Sequence, residues 1–197
     1  EGYAEILNKD ASGTWAVIQT VTGSPPAANE NFGSSVALSG DGNFAVFGVP
    51  GSESNKGRAE VYKYNSTSKL YDYFGSIQDA EALAGAKFGS SVAVDKTGQI
   101  FAVGAPFYSS VGTGATSNVG AVFVYANDNG KFIQIAKLLP STQQADLEFG
   151  SSITMNTDAS KIIVGAPGYN PTGAPDTGRV YYFKQSIESF TADGSTT

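Results

Sequence analysis

The sequence contains a unit that occurs three times with fixed internal spacing. Its first marker is the tetrapeptide Phe-Gly-Ser-Ser, which begins at Phe32, Phe88 and Phe149. Sixteen residues after each Phe a Gly-x-Pro triplet begins, at Gly48, Gly104 and Gly165. Seventeen residues before each Phe stands an aromatic residue, in turn Trp15, Tyr71 and Phe132. A chain with such a period folds as a series of similar modules.

Another marker, a glycine that opens a short apolar segment, occurs four times, at Gly2, Gly57, Gly120 and Gly178. The distance from Gly-x-Pro to this glycine varies between repeats, whereas the two spacings around Phe do not. Fixed spacing is typical of paired strands, because a slip of one residue turns every side chain to the other face. The variable stretch is therefore predicted to be a loop.

Each unit predicts four short strands. The Asp41-Gly42 pair indicates a hairpin turn, and the apolar run that follows it suits a strand buried on both faces. Repeated four-stranded units with glycine and aromatic markers are typical of propeller blades. We predict an all-β fold, a β-propeller of four-stranded antiparallel blades, with about three and a third blades in this chain.

These residues resemble the FG-GAP repeat, whose name describes a Phe-Gly and a Gly-Ala-Pro. Gly104-Ala105-Pro106 and Gly165-Ala166-Pro167 match the second element letter for letter, and Gly48-Val49-Pro50 differs at one residue. The resemblance covers the chain from Gly2 to about Phe190. It implies a propeller like the seven-bladed heads of integrin α subunits, a family found in extracellular adhesion proteins, some lectins and many secreted repeat proteins.

The domain organisation follows from the repeat. We expect a propeller segment over 1–190, with units at about 2–56, 57–119, 120–177 and a partial one at 178–190, and then a polar tail at 191–197. A propeller closes with about 4 to 8 blades. Either this chain is part of a longer propeller or several chains complete one ring, and the start inside a strand at Gly2 favours the first.

Composition excludes several classes of function. The 197 residues include no Cys and no His, which removes thiolate zinc sites, Cys nucleophiles and every triad that uses His. The net charge of −6 argues against nucleic acid or an anionic membrane as a partner, and no apolar run is long enough for membrane insertion. We expect no catalytic residues and no enzyme activity.

Calcium is the cofactor that the resemblance suggests, because integrin-type blades carry an Asp-x-Asp-x-Asp-Gly loop. The corresponding segments here, at 39–43, 95–99 and 156–160, hold one Asp each. A calcium ion needs about 6 to 8 oxygen ligands. We therefore predict plain turns at these segments, with no metal site and no cofactor, and calcium binding is the alternative.

A ligand or partner surface is expected on the variable loops. Phe107, Tyr108, Tyr169 and Asn170 follow Gly-x-Pro directly and form the predicted contact patch, although the rings could instead pack on a neighbouring blade. Trp15 is predicted to be a core residue, because it shares its repeat position with Tyr71 and Phe132. Asn65-Ser66-Thr67 is an acceptor sequence for an N-linked glycan, so Asn65 is the predicted glycosylation site.

The function expected from these observations is a non-catalytic extracellular or cell-surface module for adhesion, scaffolding or protein contact. Its partner would be another protein or sister chains that complete the propeller. The alternative is a lectin-like propeller that binds a glycan through Tyr108 or Tyr169.

Overall fold

The computed structural model describes residues 2–79, 83–109, 116–171, 177–186 and 189–196, and for 186 and 189–196 the backbone alone. Its strands, in chain order, are β1 (Tyr3–Lys9), β2 (Trp15–Thr22), β3 (Val36–Leu38), β4 (Phe44–Val49), β5 (Arg58–Asn65), β6 (Leu70–Ile77), β7 (Ser91–Val94), β8 (Ile100–Ala105), β9 (Ala121–Asp128), β10 (Lys131–Leu138), β11 (Ser152–Met155), β12 (Lys161–Ala166), β13 (Arg179–Ser186) and β14 (Ser189–Thr196). Within the described ranges the helical structure is a single short turn, α1 (Ser52–Asn55).

The strands form antiparallel sheets that repeat along the chain. Strands β3 to β6 form blade 1, β7 to β10 form blade 2 and β11 to β14 form blade 3, with neighbours in the sheet also being neighbours in sequence. Strands β1 and β2 form a two-stranded half-blade before them. The inner strands β3, β7 and β11 adjoin one another, as the first strands of successive blades do in a propeller. The predicted all-β propeller fold is confirmed.

The end of the chain differs from the prediction. Residues 191–196 do not form a polar tail, because β14 pairs with β13 from Ser186↔Ser189 to Val180↔Thr196 and completes blade 3 as its outer strand. Backbone pairing explains this result, since an antiparallel ladder is formed by main-chain N–H and C=O groups whatever the polarity of the side chains. The described strands therefore give three complete blades and a half-blade, in place of three and a third.

The blades are joined by seams in which two glycine backbones nearly touch. A Cβ atom added to Gly48 would lie 1.9 Å from the carbonyl oxygen of Gly89, and one added to Gly104 would lie 2.2 Å from the carbonyl oxygen of Gly150. In each seam the glycine of Gly-x-Pro in one blade faces the glycine of Phe-Gly in the next. Only glycine permits this approach, which explains why both markers contain one.

Two polar contacts accompany the glycine contact in both seams between complete blades. The hydroxyl of Ser35 donates to the Gly89 carbonyl at 2.9 Å, and that of Ser91 donates to the Gly150 carbonyl at 2.6 Å. The amides of Phe88 and Phe149 also cross the seams and donate to the carbonyls of the residues just before Gly57 and Gly120, each at 3.0 Å. The second Ser of Phe-Gly-Ser-Ser is thus a seam residue.

Apolar side chains fill the space behind these backbone contacts. One cluster joins blades 1 and 2 around Phe88, Phe101 and Phe123, and another joins blades 2 and 3 around Phe149 and Tyr181. The Phe rings of the repeat are fully buried in both seams. Burial of such a side chain stabilises the fold by roughly 1.5–3 kcal/mol, so the seams hold the blades together.

The seam hydrogen bond gives a matched pair of variants. Ser91→Ala removes a buried bond to the Gly150 carbonyl, and we expect it to lower the free energy of unfolding by about 1 kcal/mol in urea denaturation. Ser152→Ala alters the same repeat position, where the described residues include no following blade and the hydroxyl makes no seam bond, so its expected effect in this 197-residue chain is within about 0.5 kcal/mol of zero. Equal losses for the two variants would contradict this assignment.

Candidate interaction surfaces

The outer side of blade 3 exposes positions that are buried in every internal seam. We define the trailing face by Ser152, Ile163, Gly165 and Val180. The side chain of Ile163 is 44% exposed, whereas Val46 and Ala102 at the same repeat position are fully buried. Val180 is 45% exposed, whereas its equivalents Ala59 and Val122 are fully buried. The trailing face is therefore an apolar seam surface without the blade that covers its counterparts.

The half-blade presents a second uncovered surface at the other end. We define the leading face by Tyr3, Leu7, Trp15 and Val17, which alternate along β1 and β2 and are 46–62% exposed. The repeat position of Leu7 is occupied in blades 1 and 2 by Tyr62 and Tyr125, both buried. Strand β1 corresponds to β5 of blade 1, which pairs with β4 on one edge and β6 on the other. In the described half-blade β1 pairs with β2 alone, so its other edge has no strand partner. Exposed apolar patches of this kind are typical of protein contact sites.

The prediction that Trp15 belongs to the core is wrong. Its indole is 62% exposed and its described contact is with the Lys9 ammonium, 5.9 Å from the ring. Phe132, at the same repeat position, packs against Phe74 of the preceding blade at 6.4 Å between ring centroids. The described residues include no blade before β1, so nothing in this structure covers the indole as Phe74 covers Phe132.

Two of the four residues predicted to form a ligand patch are buried. Tyr108 packs edge-on against Phe123 at 5.7 Å, with the Lys137 ammonium over its ring and bonded to its hydroxyl. Tyr169 lies under the Arg179 guanidinium, 3.6 Å from the ring centroid, and is also buried. Both rings fold down onto their own blade because the chain turns directly after Gly-x-Pro. They do not form the predicted patch, and they are not available to stack on a sugar.

The other two predicted residues, Phe107 and Asn170, are at least partly exposed and contact different neighbours. Phe107 is half-buried with the Lys87 ammonium 4.6 Å above its ring, whereas Asn170 is exposed and its amide donates to the Gln144 side chain at 3.2 Å. Phe107 and Lys87 border a groove of about 320 Å³. The first serine of each Phe-Gly-Ser-Ser tetrapeptide also lines this groove: Ser34, Ser90 and Ser151. Residues 110–115 and 172–176 of the predicted loop surface lie outside the described residues.

A buried charge cluster braces the seam before blade 1, and the repeat pattern did not reveal it. Arg58 binds both carboxylate oxygens of Glu30 at 2.8 and 2.9 Å, and its Nε donates to Glu60 at 2.9 Å. These bonds, led by the one to Glu30, raise the pKa of Arg58. Glu60 also accepts from the Ser24 amide and the Tyr62 hydroxyl. The described contacts of the cluster are internal and fix the 23–31 loop, and its two carboxylates against one guanidinium leave it with a net negative charge.

The turn carboxylates bind their own backbone. Asp158 accepts from the amide and hydroxyl of Ser160 at 3.0 and 2.7 Å, and these bonds lower its pKa below the ordinary 3.8. Asp95 and Asp41 make similar contacts within their turns. In the part of the chain that the structure describes, no three carboxylates come together as a metal site. Each turn thus uses its Asp as a hydrogen-bond acceptor for the hairpin.

Asn65 ends β5 at the rim of blade 1 and is partly exposed. Its side-chain amide donates to Asp72 at 2.7 Å, and its oxygen accepts from the Thr67 amide at 2.9 Å. A glycan attached to this nitrogen would project from the turn at 66–69 and would replace the contact with Asp72. None of the described helical structure has the length and apolar character to cross a membrane.

Sequence comparison identifies one repeat directly. Residues 132–183 match the family described as FG-GAP repeat, which confirms over that segment the resemblance seen in the sequence. The segment contains Phe149-Gly150 and the triplet that begins at Gly165. No curated protein matches the chain.

Solved structures share the fold at low sequence identity. A putative 6-phosphogluconolactonase from Bacteroides uniformis matches with a TM-score of 0.60 and 13% identity, over 97% of this chain and 50% of that chain. A putative 6-phosphogluconolactonase from Bacteroides fragilis matches with a TM-score of 0.56 and 13% identity, over 90% and 43%. This chain therefore spans about half the length of the structures it resembles, and at such identities the likeness concerns the fold alone.

The turn geometry predicts a pH response at Asp158. We expect an NMR titration to give this carboxyl a pKa below 3.8, because the bonds from Ser160 favour its charged form. With the folded-state value depressed, the stabilisation is present above the unfolded-state pKa and is lost as pH falls through the folded-state value.

Ser160→Ala is the control for this titration, because it removes the Ser160 hydroxyl donor and keeps the donors from the Ser160 backbone amide and the Asn156 side chain. It should bring the pKa of Asp158 closer to 3.8. A wild-type value at or above 3.8 would show that the described hydrogen bonds do not form.

Proposed function

We propose that this chain is a non-catalytic β-propeller module that works through contact with other protein, in adhesion or scaffolding. The observation that carries the proposal is the FG-GAP match at 132–183, on a propeller whose recurring glycines, serines and aromatic rings are engaged in seams and blade cores.

The internal use of the repeat residues supports the same function. The serines, glycines and aromatic rings that recur are engaged in seams and blade cores, as in the contacts of Ser91, Gly104 and Phe149. The Arg58 cluster is likewise satisfied internally. Side chains committed to packing are not free to act on a substrate, which favours binding over catalysis.

We further propose an extracellular or cell-surface location with a protein partner or sister chains on the end faces. The proposal rests on the FG-GAP match at 132–183 and on the family's occurrence in adhesion proteins. Glycan binding is the weaker candidate, because Tyr108 and Tyr169 are buried and the groove beside Phe107 retains one accessible aromatic ring.

The single tryptophan reports on the leading face. We expect light scattering to give masses that rise above 20.4 kDa with concentration, together with a blue shift of Trp15 emission as the indole leaves water. The Trp15→Lys variant should reduce this association because it places a charge on the apolar face.

Lys131→Glu is the matched control, because it changes a charge at the exposed start of β10 in blade 2, away from the residues that define the leading face. Its association should equal that of the wild type. A mass of 20.4 kDa at every concentration, with unchanged emission, would argue against self-association through this face.

Glycosylation at Asn65 is testable in a eukaryotic secretory host. We expect a fraction of the chain to carry one N-linked glycan, removed by a peptide N-glycosidase, and Thr67→Ala to abolish it because the acceptor triplet is lost. Ser66→Ala keeps the triplet and should retain the glycan. An unmodified wild-type chain from that host would contradict the assignment.

A further inference from the structure

The groove beside Phe107 lies where three consecutive repeats meet. The first serine of each tetrapeptide lines it, just before the inner strands β3, β7 and β11 begin. Pro50 and Pro106, directly after the ends of β4 and β8, line it as well. None of its lining residues belongs to the leading or the trailing face. The groove is therefore built by the interior of the row of blades.

The charge of the lining is opposite to that of the chain as a whole. Acidic residues outnumber basic ones by 18 to 12 in the sequence, yet no described residue that lines the groove is acidic and one, Lys87, is cationic. The other polar groups are the serine hydroxyls and the side-chain amides of Asn31 and Asn55. Such a lining is electrostatically complementary to an anionic group.

The Lys87 ammonium is positioned without an acidic partner. It lies 4.6 Å above the centre of the Phe107 ring, and it forms no ion pair with a described carboxylate. An aromatic face attracts a cation through the ring quadrupole and does not accept its N–H groups as a carboxylate does. The ammonium, which carries three donors, is thus held in place and still able to bind an anion.

The backbone that carries this lysine is fixed in a strained conformation. Lys87 has φ of 53°, in the left-handed region that lysine rarely adopts, and Asn31 and Glu148 take φ of 56° and 54° at the same repeat position. The Lys87 amide donates to the Asn55 carbonyl at 2.8 Å, and its carbonyl accepts from the Ser90 hydroxyl at 2.7 Å. Three different side chains at one position show that the fold does not require lysine there. Strain of this kind is concentrated at ligand sites.

We infer that this groove binds a carboxylate side chain, an aspartate or glutamate in a projecting loop of a partner protein. Lys87 pairs with the carboxylate, and the amides of Asn31 and Asn55 provide neutral donors beside it. The volume of about 320 Å³ is at the lower end for ligand pockets and suits one or two side chains. The inference rests on the proposed function and names the place and the chemistry of the protein contact.

A sugar acid carries the same charge but fits the groove less well. The Phe107 ring is the one aromatic ring among the described lining residues, it is half-buried, and the Lys87 ammonium occupies one of its faces. The neighbouring Tyr108 is buried. Little aromatic surface is therefore open for a sugar ring to pack on, and this favours an acidic side chain.

An NMR titration of the isotope-labelled 197-residue chain tests the site. The probe is the tripeptide acetyl-Gly-Asp-Gly-amide, and acetyl-Gly-Asn-Gly-amide is the neutral control of the same size. We expect the aspartate peptide to shift the amide signals of Lys87, Ser90 and Phe107 saturably. The asparagine peptide should bind about tenfold more weakly or less, because it cannot form the charge-assisted bond.

Variants of the lysine separate binding from folding. Lys87→Gly removes the ammonium and places glycine where φ is positive, so the urea midpoint should not fall while affinity for the aspartate peptide drops about tenfold or more. Lys87→Arg keeps the cation and should retain binding. Lys131→Gln is the matched control, because it removes a cation at the exposed start of β10, and its affinity should equal that of the wild type.

The inference would be overturned by an aspartate peptide that gives no saturable shift, by equal binding of the asparagine peptide, or by affinity that survives Lys87→Gly. N-acetylneuraminic acid is titrated in parallel and should bind more weakly than the aspartate peptide. Tighter binding of this sugar acid would overturn the assignment to a protein side chain. None of these results bears on self-association through Trp15, so this inference and the proposed function can fail separately.

Discussion

The close approach of two glycine backbones across each seam is the contact on which the rest of the molecule depends. It brings the Gly-x-Pro strand of one blade within reach of the Phe-Gly turn of the next, so that the Ser91 hydroxyl and the Phe149 amide can fasten the seam. The same approach allows apolar side chains of adjacent blades to interlock with full burial. A methyl group at Gly104 would separate these layers and expose the cluster behind them.

The seam also explains how one chain presents two different ends. Because a seam joins unlike sides of a blade, an open row of blades leaves one side of each kind uncovered. Here the leading face lacks the blade on which Trp15 would pack, and the trailing face lacks the strand that would cover Gly165. Head-to-tail contacts of this sort close into a ring or continue as an open array, depending on the rotation between units.

The sequence predicted the fold because its markers are backbone requirements. Gly48 and Gly104 are glycine because the backbone of the next blade lies against them. The fixed spacing from each Phe-Gly to Gly-x-Pro sets the pairing register of the strands between them. The sequence predicted the surface less well, because an aromatic residue at one repeat position is buried or exposed according to whether another blade lies beside it. Trp15 and Phe132 share a repeat position and differ in burial, and Tyr108 and Tyr169 fold inwards where the pattern suggested a patch. The Arg58 cluster occurs in one seam, so no repeat signalled it.

Hydrogen exchange at the seam amides is the most direct test of whether the three blades unfold together as one cooperative unit. The amides of Phe88 and Phe149 are donated across seams, to the carbonyls before Gly57 and Gly120. If the seams hold the three blades as one unit, both amides should exchange with the free energy of global unfolding measured in denaturant. Exchange of either amide through a local opening of much lower free energy would show that the blades separate independently, and would contradict the account.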